Sequence, residues 1–147
     1  MKRTFAKRLC LALSVLVLAC GCVVFAACND EDARGEEAVI SVIIGDGEAA
    51  SVTTDAKYLY GALKDLCEKE GIPLEGEDGA YGFYLTRIGD LVQGDGAYIM
   101  LYHDIDDVTL YTPGYDYEVG GKTFFSSSLG VSSLPVVDGA TYLIVLM

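Results

Sequence analysis

The chain offers few side chains that could carry acid–base or nucleophilic chemistry. His103 is its one histidine, so neither a histidine-rich metal site nor a catalytic pair of histidines can form within a single copy. His103 ends a predicted strand beside Asp104, and the pattern favours a histidine that hydrogen-bonds to this acidic neighbour over one that contacts a ligand. Cys67 falls on the apolar face of a predicted helix, which favours a small buried hydrophobic group over a nucleophile. We therefore predict no enzymatic activity and no cofactor.

Tyrosines are the stronger candidates for binding, because tyrosine combines an apolar ring with a polar tip. The candidates are Tyr98, Tyr102, Tyr111, Tyr115 and Tyr117. The first two lie on a predicted strand, and the other three lie along the loop that follows it, which Pro113-Gly114 restrains. Because loops on a rigid sheet are common recognition sites, we predict a ligand site where the strand, ending at His103, meets this loop. Packing of the same rings against a sheet face is the alternative, and the pattern alone favours it.

Acidic residues gather around the same loop. Asp104, Asp106 and Asp107, with Asp116 or Glu118, supply hard oxygen ligands of the kind that calcium prefers. They lack the spacing and the turn glycine of a known calcium-binding loop. The sequence therefore favours a solvated acidic loop, and we predict no metal site.

The N-terminal segment has the layout of an export signal. It opens with four basic residues: Lys2, Arg3, Lys7 and Arg8. An uninterrupted apolar stretch follows over residues 9–27, and the first acidic residue is Asp30. The stretch is longer than the usual core of a signal peptide and approaches the roughly 20 residues that span a bilayer as a helix. Its length alone leaves open a cleaved signal peptide and an uncleaved membrane anchor.

Cys28 stands where the apolar stretch meets polar chain. The sequence Phe25-Ala26-Ala27-Cys28 resembles the bacterial lipoprotein signal, in which the cysteine is lipidated and becomes the mature N-terminus. Cleavage before Cys20 would instead leave an apolar start to the mature chain. We therefore predict a signal peptide over residues 1–28 and a lipid on Cys28 that anchors the protein to the bacterial cell membrane, facing outside the cytoplasm. An uncleaved anchor is the alternative and gives the same location.

The chain beyond residue 28 is strongly acidic. The whole chain carries a formal net charge of −12, and the four cations of residues 1–28 leave −16 for the remainder. Nucleic acid and anionic membrane surfaces are therefore poor partners, whereas cationic partners are permitted. Residues 29–37 form a short acidic tether before a domain over residues 38–147. Cys67 is the one cysteine of that domain, so no disulfide can form within it.

The residue pattern of the domain predicts one long helix and several strands. The helix begins at a cap on Thr53 or Thr54 and ends at Gly71, because apolar residues between them recur on one face. These apolar residues are Leu59, Ala62, Leu63, Leu66 and Cys67. Strands are predicted at 38–44, 49–53, 81–92, 97–103, 117–125 (a hairpin) and 141–147, and a loop at 75–79. One helix against these strands predicts an α+β fold in which a single mixed sheet packs on the helix.

Four segments of the domain together resemble a known family. They are residues 57–63, 81–89, 97–102 and 130–142. The family is a bacterial surface domain of unknown function that is related to the C-terminal domain of transcobalamin and intrinsic factor. The resemblance implies a β-grasp fold of the kind that binds soluble ligands, and it suggests a corrinoid as one such ligand. The chain departs from the family pattern at Tyr98, where tryptophan is common, and at the loop 104–107, which replaces an Asn-Gly turn.

These observations together predict a lipid-anchored binding module outside the cytoplasm. Its ligand would be a soluble molecule or a partner on the cell surface. The alternative is a structural or adhesive module that pairs with another surface protein through a sheet edge. A concave pocket would favour the first function, and an exposed flat edge would favour the second.

Overall fold

We describe residues 33–147 from a computed structural model. Within this range the chain forms nine strands and one helix. In chain order they are β1 (Arg34–Ile44), β2 (Ala50–Ala56), α1 (Leu59–Glu70), β3 (Leu74–Gly79), β4 (Gly82–Ile88), β5 (Leu91–Val92), β6 (Ile99–His103), β7 (Tyr117–Val119), β8 (Lys122–Ser126) and β9 (Thr141–Leu146). One helix among these strands confirms the α+β class. The predicted signal peptide, Cys28 and the start of the tether lie outside the described residues.

The strands form two sheets, whereas the sequence predicted one. Six strands form a mixed sheet in the order β2-β1-β9-β6-β8-β7, in which β1 and β9 are parallel and the other neighbours are antiparallel. Strands β3, β4 and β5 form a separate antiparallel sheet. No helix within residues 33–147 is long and apolar enough to span a membrane.

The first strand begins earlier than the predicted residue 38. Arg34 pairs with Ala56 of β2, and the N–H of Lys57 donates to the carbonyl of Ala33 at 2.8 Å. The Arg34 guanidinium also reaches Asp55 at 2.8 Å and Asp65 of the helix at 2.9 Å. Residues 34–37, which the sequence assigned to the tether, are therefore part of the sheet.

The helix begins at Leu59, so the predicted caps at Thr53 and Thr54 are wrong. Both threonines lie in β2, and the Thr54 hydroxyl accepts a hydrogen bond from the N–H of Ala56 at 3.1 Å. The helix has no side-chain cap; its first N–H groups donate to the carbonyls of a distant loop. These bonds join Leu59 to Leu134 at 2.8 Å and Tyr60 to Val131 at 2.9 Å. Tertiary contacts thus replace the local cap that a sequence pattern can detect.

The helix ends as predicted. Gly71 adopts the left-handed conformation, with φ of 68°, and its N–H donates to the carbonyl of Cys67. The N–H of Ile72 donates to the same carbonyl at 2.9 Å. This ending turns the chain sharply away from the helix axis and places Ile72 beside the end of the first hairpin.

Two predictions around residues 74–92 are wrong in detail. The acidic segment predicted as a loop is strand β3, which pairs along its whole length with β4. Gly76 has no room for a side chain, because a Cβ there would overlap the carbonyl of Tyr84 and the ring of Phe83. The long strand predicted at 81–92 is broken into β4 and β5 by a turn at Gly89, whose φ is 58°. Backbone hydrogen bonds between strands determine the structure of residues 74–92. Such bonds leave little hydrophobic pattern in the sequence.

The main core lies between the helix and one face of the six-stranded sheet. Its fully buried side chains include Ile40, Val42, Leu59, Leu63, Ile88, Leu134, Tyr142 and Ile144. Each such side chain contributes roughly 1.5–3 kcal/mol through burial. Cys67 is 3% exposed within the same core, which confirms the prediction of a small buried hydrophobic group.

Tyr142 fixes the loop that starts the helix. Its hydroxyl donates to the carbonyl of Pro135 at 2.7 Å and accepts from the N–H of Val137 at 2.9 Å. Burial raises the pKa of this phenol to about 12, so the hydroxyl keeps its proton at neutral pH. The hydrogen bond to Pro135 positions the neighbouring Leu134, whose carbonyl accepts from the N–H of Leu59 at the start of the helix.

Candidate functional site

Strand β6 presents its predicted tyrosines on the sheet face opposite the helix. Side chains alternate along a strand, so Tyr98, Met100 and Tyr102 share that face. Tyr102 is only 5% exposed, packs in a second apolar cluster and lies 5.4 Å, ring to ring, from Tyr117. Tyr98 is 56% exposed. The structure therefore brings Tyr102 and Tyr117 together, with Tyr98 on the same side of the sheet.

The second apolar cluster is a separate core on that face. Its buried members are Tyr102, Phe124, Leu143 and Val145, and the half-buried Ile43, Met100 and Tyr117 pack against them. Burial raises the pKa of the Tyr102 phenol, and the neighbouring Tyr117 raises it further. Tyr102 therefore contributes packing to the fold.

His103 and Tyr111 lie on the helix side of the sheet. His103 is fully buried; its Nε2 lies 3.1 Å from the carbonyl of Leu110, and its Nδ1 accepts from the N–H of Ile105 at 3.3 Å. The predicted bond from His103 to its acidic neighbour is therefore wrong. The ring of Tyr111 lies 6.5 Å from that of His103 and stacks at 4.5 Å on Phe125. His103 holds the following loop against the sheet through two backbone bonds.

The six predicted site residues thus fall into three places. One group faces away from the helix, the pair His103 and Tyr111 lies beneath the loop, and Tyr115 is 67% exposed on the loop itself. The sequence alone could not show that these residues lie in different places. Adjacent strand positions point to opposite faces of the sheet, and the spacing of residues in a loop does not determine its path. The described structure does not gather them around one pocket.

The aspartates of the loop are used within the fold. Asp104 accepts from the N–H of Thr141 at 2.7 Å and forms an ion pair with Lys122. Burial raises the pKa of Asp104, but the bonds from Lys122 and Thr141 outweigh it, and the net pKa is lowered. Asp107 accepts from the N–H and the hydroxyl of Thr109, which lowers its pKa. Across residues 33–147, no group of three or more His, Cys, Asp or Glu side chains could hold a metal ion.

A cleft that the sequence did not predict lies between the first hairpin and the end of the helix. We call it the hairpin cleft. Its volume is about 410 Å³. Its lining residues are Val42, Ile44, Gly47, Glu48, Ala50, Leu66, Glu70 and Ile72. Val42 and Leu66 are buried at its floor, whereas Glu48 and Glu70 are exposed at its rim. Its volume falls within the roughly 300–1,000 Å³ typical of small-molecule sites.

The hairpin cleft arises because three elements diverge. The hairpin contributes its turn at Glu48, the helix contributes Leu66 and Glu70, and the segment after the turn at Gly71 contributes Ile72. Ile44 and Ala50, at the end of the hairpin, are only half-buried. The apolar run at 38–44 is the one signal of this cleft in the sequence, because its last residue lines the cleft.

A second cleft, of about 430 Å³, lies on the other side of the helix end and shares Ile72 with the first. Its lining residues are Lys64, Cys67, Glu68, Gly71, Ile72, Pro73 and Leu74. Lys64 and Glu68 bring opposite charges to its wall, so this cleft does not favour a ligand of either sign. A third space of about 110 Å³, between β4 and β6, is smaller than typical ligand sites.

The outer edge of β2 is a further feature relevant to binding. Strand β2 is the terminal strand of the six-stranded sheet, and no described strand pairs with its outer side. Ser51, Thr53 and Asp55 are exposed along it. The edge is polar, and Asp55 is engaged by Arg34.

Comparison with known proteins identifies the fold. No family model and no curated protein matches the chain. The solved structure of haptocorrin in complex with Cbi matches with a TM-score of 0.56 and 17% identity, over 76% of this chain and 25% of haptocorrin. A Ruminococcus gnavus protein that is proposed to bind metal matches with a TM-score of 0.45 and 22% identity, over 76% of this chain and 96% of that protein.

The likeness to haptocorrin, a transcobalamin-like protein, shows a shared fold. It agrees at that level with the sequence resemblance to the transcobalamin C-terminal domain. The match covers 25% of haptocorrin, so the chain spans about a quarter of that protein's length. The likeness to the second protein is too low in TM-score to support an inference.

Proposed function

We propose that the protein is a lipid-anchored module outside the cytoplasm that binds a small soluble ligand in the hairpin cleft. The observation that carries this proposal is the cleft itself, with its apolar floor and a volume of about 410 Å³. Such a site buries most of a small ligand while polar groups at its rim orient it. The predicted N-terminal signal and Cys28 support a location outside the cytoplasm. The bacterial surface family that the chain resembles supports the same location.

Haptocorrin, whose solved structure contains Cbi, supports a soluble ligand as the general class. A corrinoid is a large macrocycle and would extend from the cleft over the neighbouring surface. The cleft fits a smaller molecule more completely. We therefore propose a small metabolite as the ligand, with Cbi as a comparison compound.

A test of the proposed site fills it with a side chain. Ala50 lines the cleft, and the adjacent Ser51 is exposed on the opposite face of the same edge strand. We expect Ala50→Phe to abolish binding of hexan-1-ol to full-length protein in nanodiscs, because the new ring occupies the floor of the cleft. Ser51→Phe is the matched control and should bind like the wild type. Ligand-observed NMR with empty nanodiscs as a blank measures the binding.

Two results would contradict this proposal. In one, wild-type protein does not bind hexan-1-ol, its ammonium analogue or Cbi above the blank. In the other, Ala50→Phe binds as well as the wild type while its circular dichroism is unchanged. The first result would contradict the proposed function itself, and the second would place the ligand site outside the hairpin cleft.

The alternative function is pairing with a surface partner through the free edge of β2. An edge strand with unpaired backbone groups can accept an extended segment from another protein. The edge supports this function less well than the cleft supports ligand binding, because exposed polar side chains and the Arg34–Asp55 ion pair occupy it. If the edge were the site, Ala50→Phe and Ser51→Phe would change partner binding to a similar extent, and small probes would not bind.

A further inference from the structure

The charges at the hairpin cleft have one sign. Glu48 lies on the turn of the first hairpin, and Glu70 is the last residue of the helix, so the two carboxylates approach the cleft from different walls. No lysine or arginine is among the described residues that line it. Its floor is apolar, with Val42, Ile44 and Leu66.

The helix adds to this negative potential. Its C-terminal end lies at Glu70, and the aligned peptide dipoles give that end a partial negative charge. Lys69 offsets part of it, because its Nζ lies 3.6 Å from a carboxylate oxygen of Glu70. The Lys69 side chain is 77% exposed, so this ion pair is weak, and a ligand ammonium group can compete with Lys69 for Glu70.

The surroundings do not reverse this sign. Asp46 lies in the same hairpin turn as Glu48, and the chain beyond residue 28 carries the net charge of −16 given above. A carboxylate or phosphate ligand would meet repulsion at the rim and along the approach. An ammonium group would meet Glu48 and Glu70 at the rim, and its competitor for Glu70 would be the exposed Lys69, which does not line the cleft.

We propose, on the basis of the function given above, that the ligand is a small organic cation with an apolar body. Its apolar part would lie on Val42, Ile44 and Leu66, and its cationic group would lie at the rim near Glu48 and Glu70. Primary amines and related alkylammonium compounds have this chemistry. The second cleft does not favour such a cation, because Lys64 and Glu68 bring opposite charges to its wall.

The test compares three six-carbon probes whose polar groups differ in charge. They are hexylammonium, hexan-1-ol and hexanoate, measured by ligand-observed NMR titration of full-length protein in nanodiscs of zwitterionic lipid, with empty nanodiscs subtracted. We expect hexylammonium to bind about three- to tenfold more tightly than hexan-1-ol, and hexanoate to bind most weakly. Raising the salt concentration should reduce the difference between the probes, because the carboxylates are exposed.

Two variants assign this preference to the rim. Glu48→Gln and Glu70→Gln should each weaken hexylammonium binding by roughly two- to fivefold and leave hexan-1-ol binding unchanged. Glu118→Gln is the matched control, because Glu118 is exposed on β7 at the far edge of the six-stranded sheet. Equal affinity for all three probes, or preference for hexanoate, would overturn the proposal of a cation and leave the hairpin cleft as a ligand site. Binding of none of the probes would instead contradict the proposed function itself.

Discussion

We expect Cys67→Asp to lower the free energy of unfolding by on the order of 3–5 kcal/mol. Cys67 is 3% exposed among apolar side chains of the helix, and burial alone raises the pKa of its thiol to about 11. A carboxylate in this position would be buried among apolar side chains and would be ionised only at a high cost. A loss of this size is a large fraction of the stability of an ordinary domain.

Urea unfolding of the full-length protein, followed by circular dichroism, measures the effect. Glu68→Asp is the matched control, because it introduces the same residue at the next, exposed helix position and should change stability by less than about 1 kcal/mol. In the native wild type, mass spectrometry should find Cys67 unmodified after brief treatment with a thiol reagent. Rapid native labelling of Cys67, or a Cys67→Asp variant as stable as its control, would contradict the packing of the helix described above.

We expect Cys28→Ala to eliminate almost all of the mature, lipid-bearing form of the protein and to leave an unprocessed chain. Only Cys28 joins the apolar stretch to polar chain, so its loss should prevent both lipid attachment and processing. Intact-mass analysis of membrane-extracted protein measures the lipid on the wild type. The fold should be unaffected, because the change lies before the first strand.

Cys20→Ala is the matched control for this prediction. It alters a cysteine within the apolar stretch, and the variant should be lipidated normally. Normal lipid on Cys28→Ala would show that another cysteine is the acceptor. An unprocessed wild-type mass would support the uncleaved anchor.

Local signals in the sequence were sufficient for the elements that depend on local contacts. The apolar run at 38–44 and the turn after it predicted the first hairpin, and Gly-Gly at 120–121 predicted the turn between β7 and β8. The stop signal at Gly71 predicted the helix end because its left-handed conformation is a property of that residue. These features needed no knowledge of distant parts of the chain.

Elements that depend on distant contacts were missed or misplaced. The helix start is fixed by carbonyls of Leu134 and Val131, more than 70 positions along the chain, so no nearby residue could reveal it. The sequence predicts a loop at β3 because its acidic side chains are exposed, and the strand is defined by backbone pairing with β4 and by the ion pair of Glu75 with Arg87. Arg34, at the start of β1, forms ion pairs with Asp55 and Asp65, which are also distant from it in sequence.

The site was the hardest part to predict, for a related reason. The tyrosines were grouped by their closeness in sequence, but strand alternation placed Tyr102 and His103 on opposite faces. The hairpin cleft has no motif of its own. It is a gap left where the hairpin, the helix end and the segment at Ile72 separate, and only the assembled fold defines it.

Methyl NMR of full-length protein in nanodiscs, titrated with hexylammonium, tests the central claim most directly. The cleft is lined by Ile44, Leu66 and Ile72, whose methyl groups report on its occupancy. Our account predicts that their signals shift together with one saturation curve, while those of Leu143 and Val145 on the opposite sheet face do not move. Shifts confined to Leu143 and Val145, or a titration that moves no methyl signal in the cleft, would contradict the account.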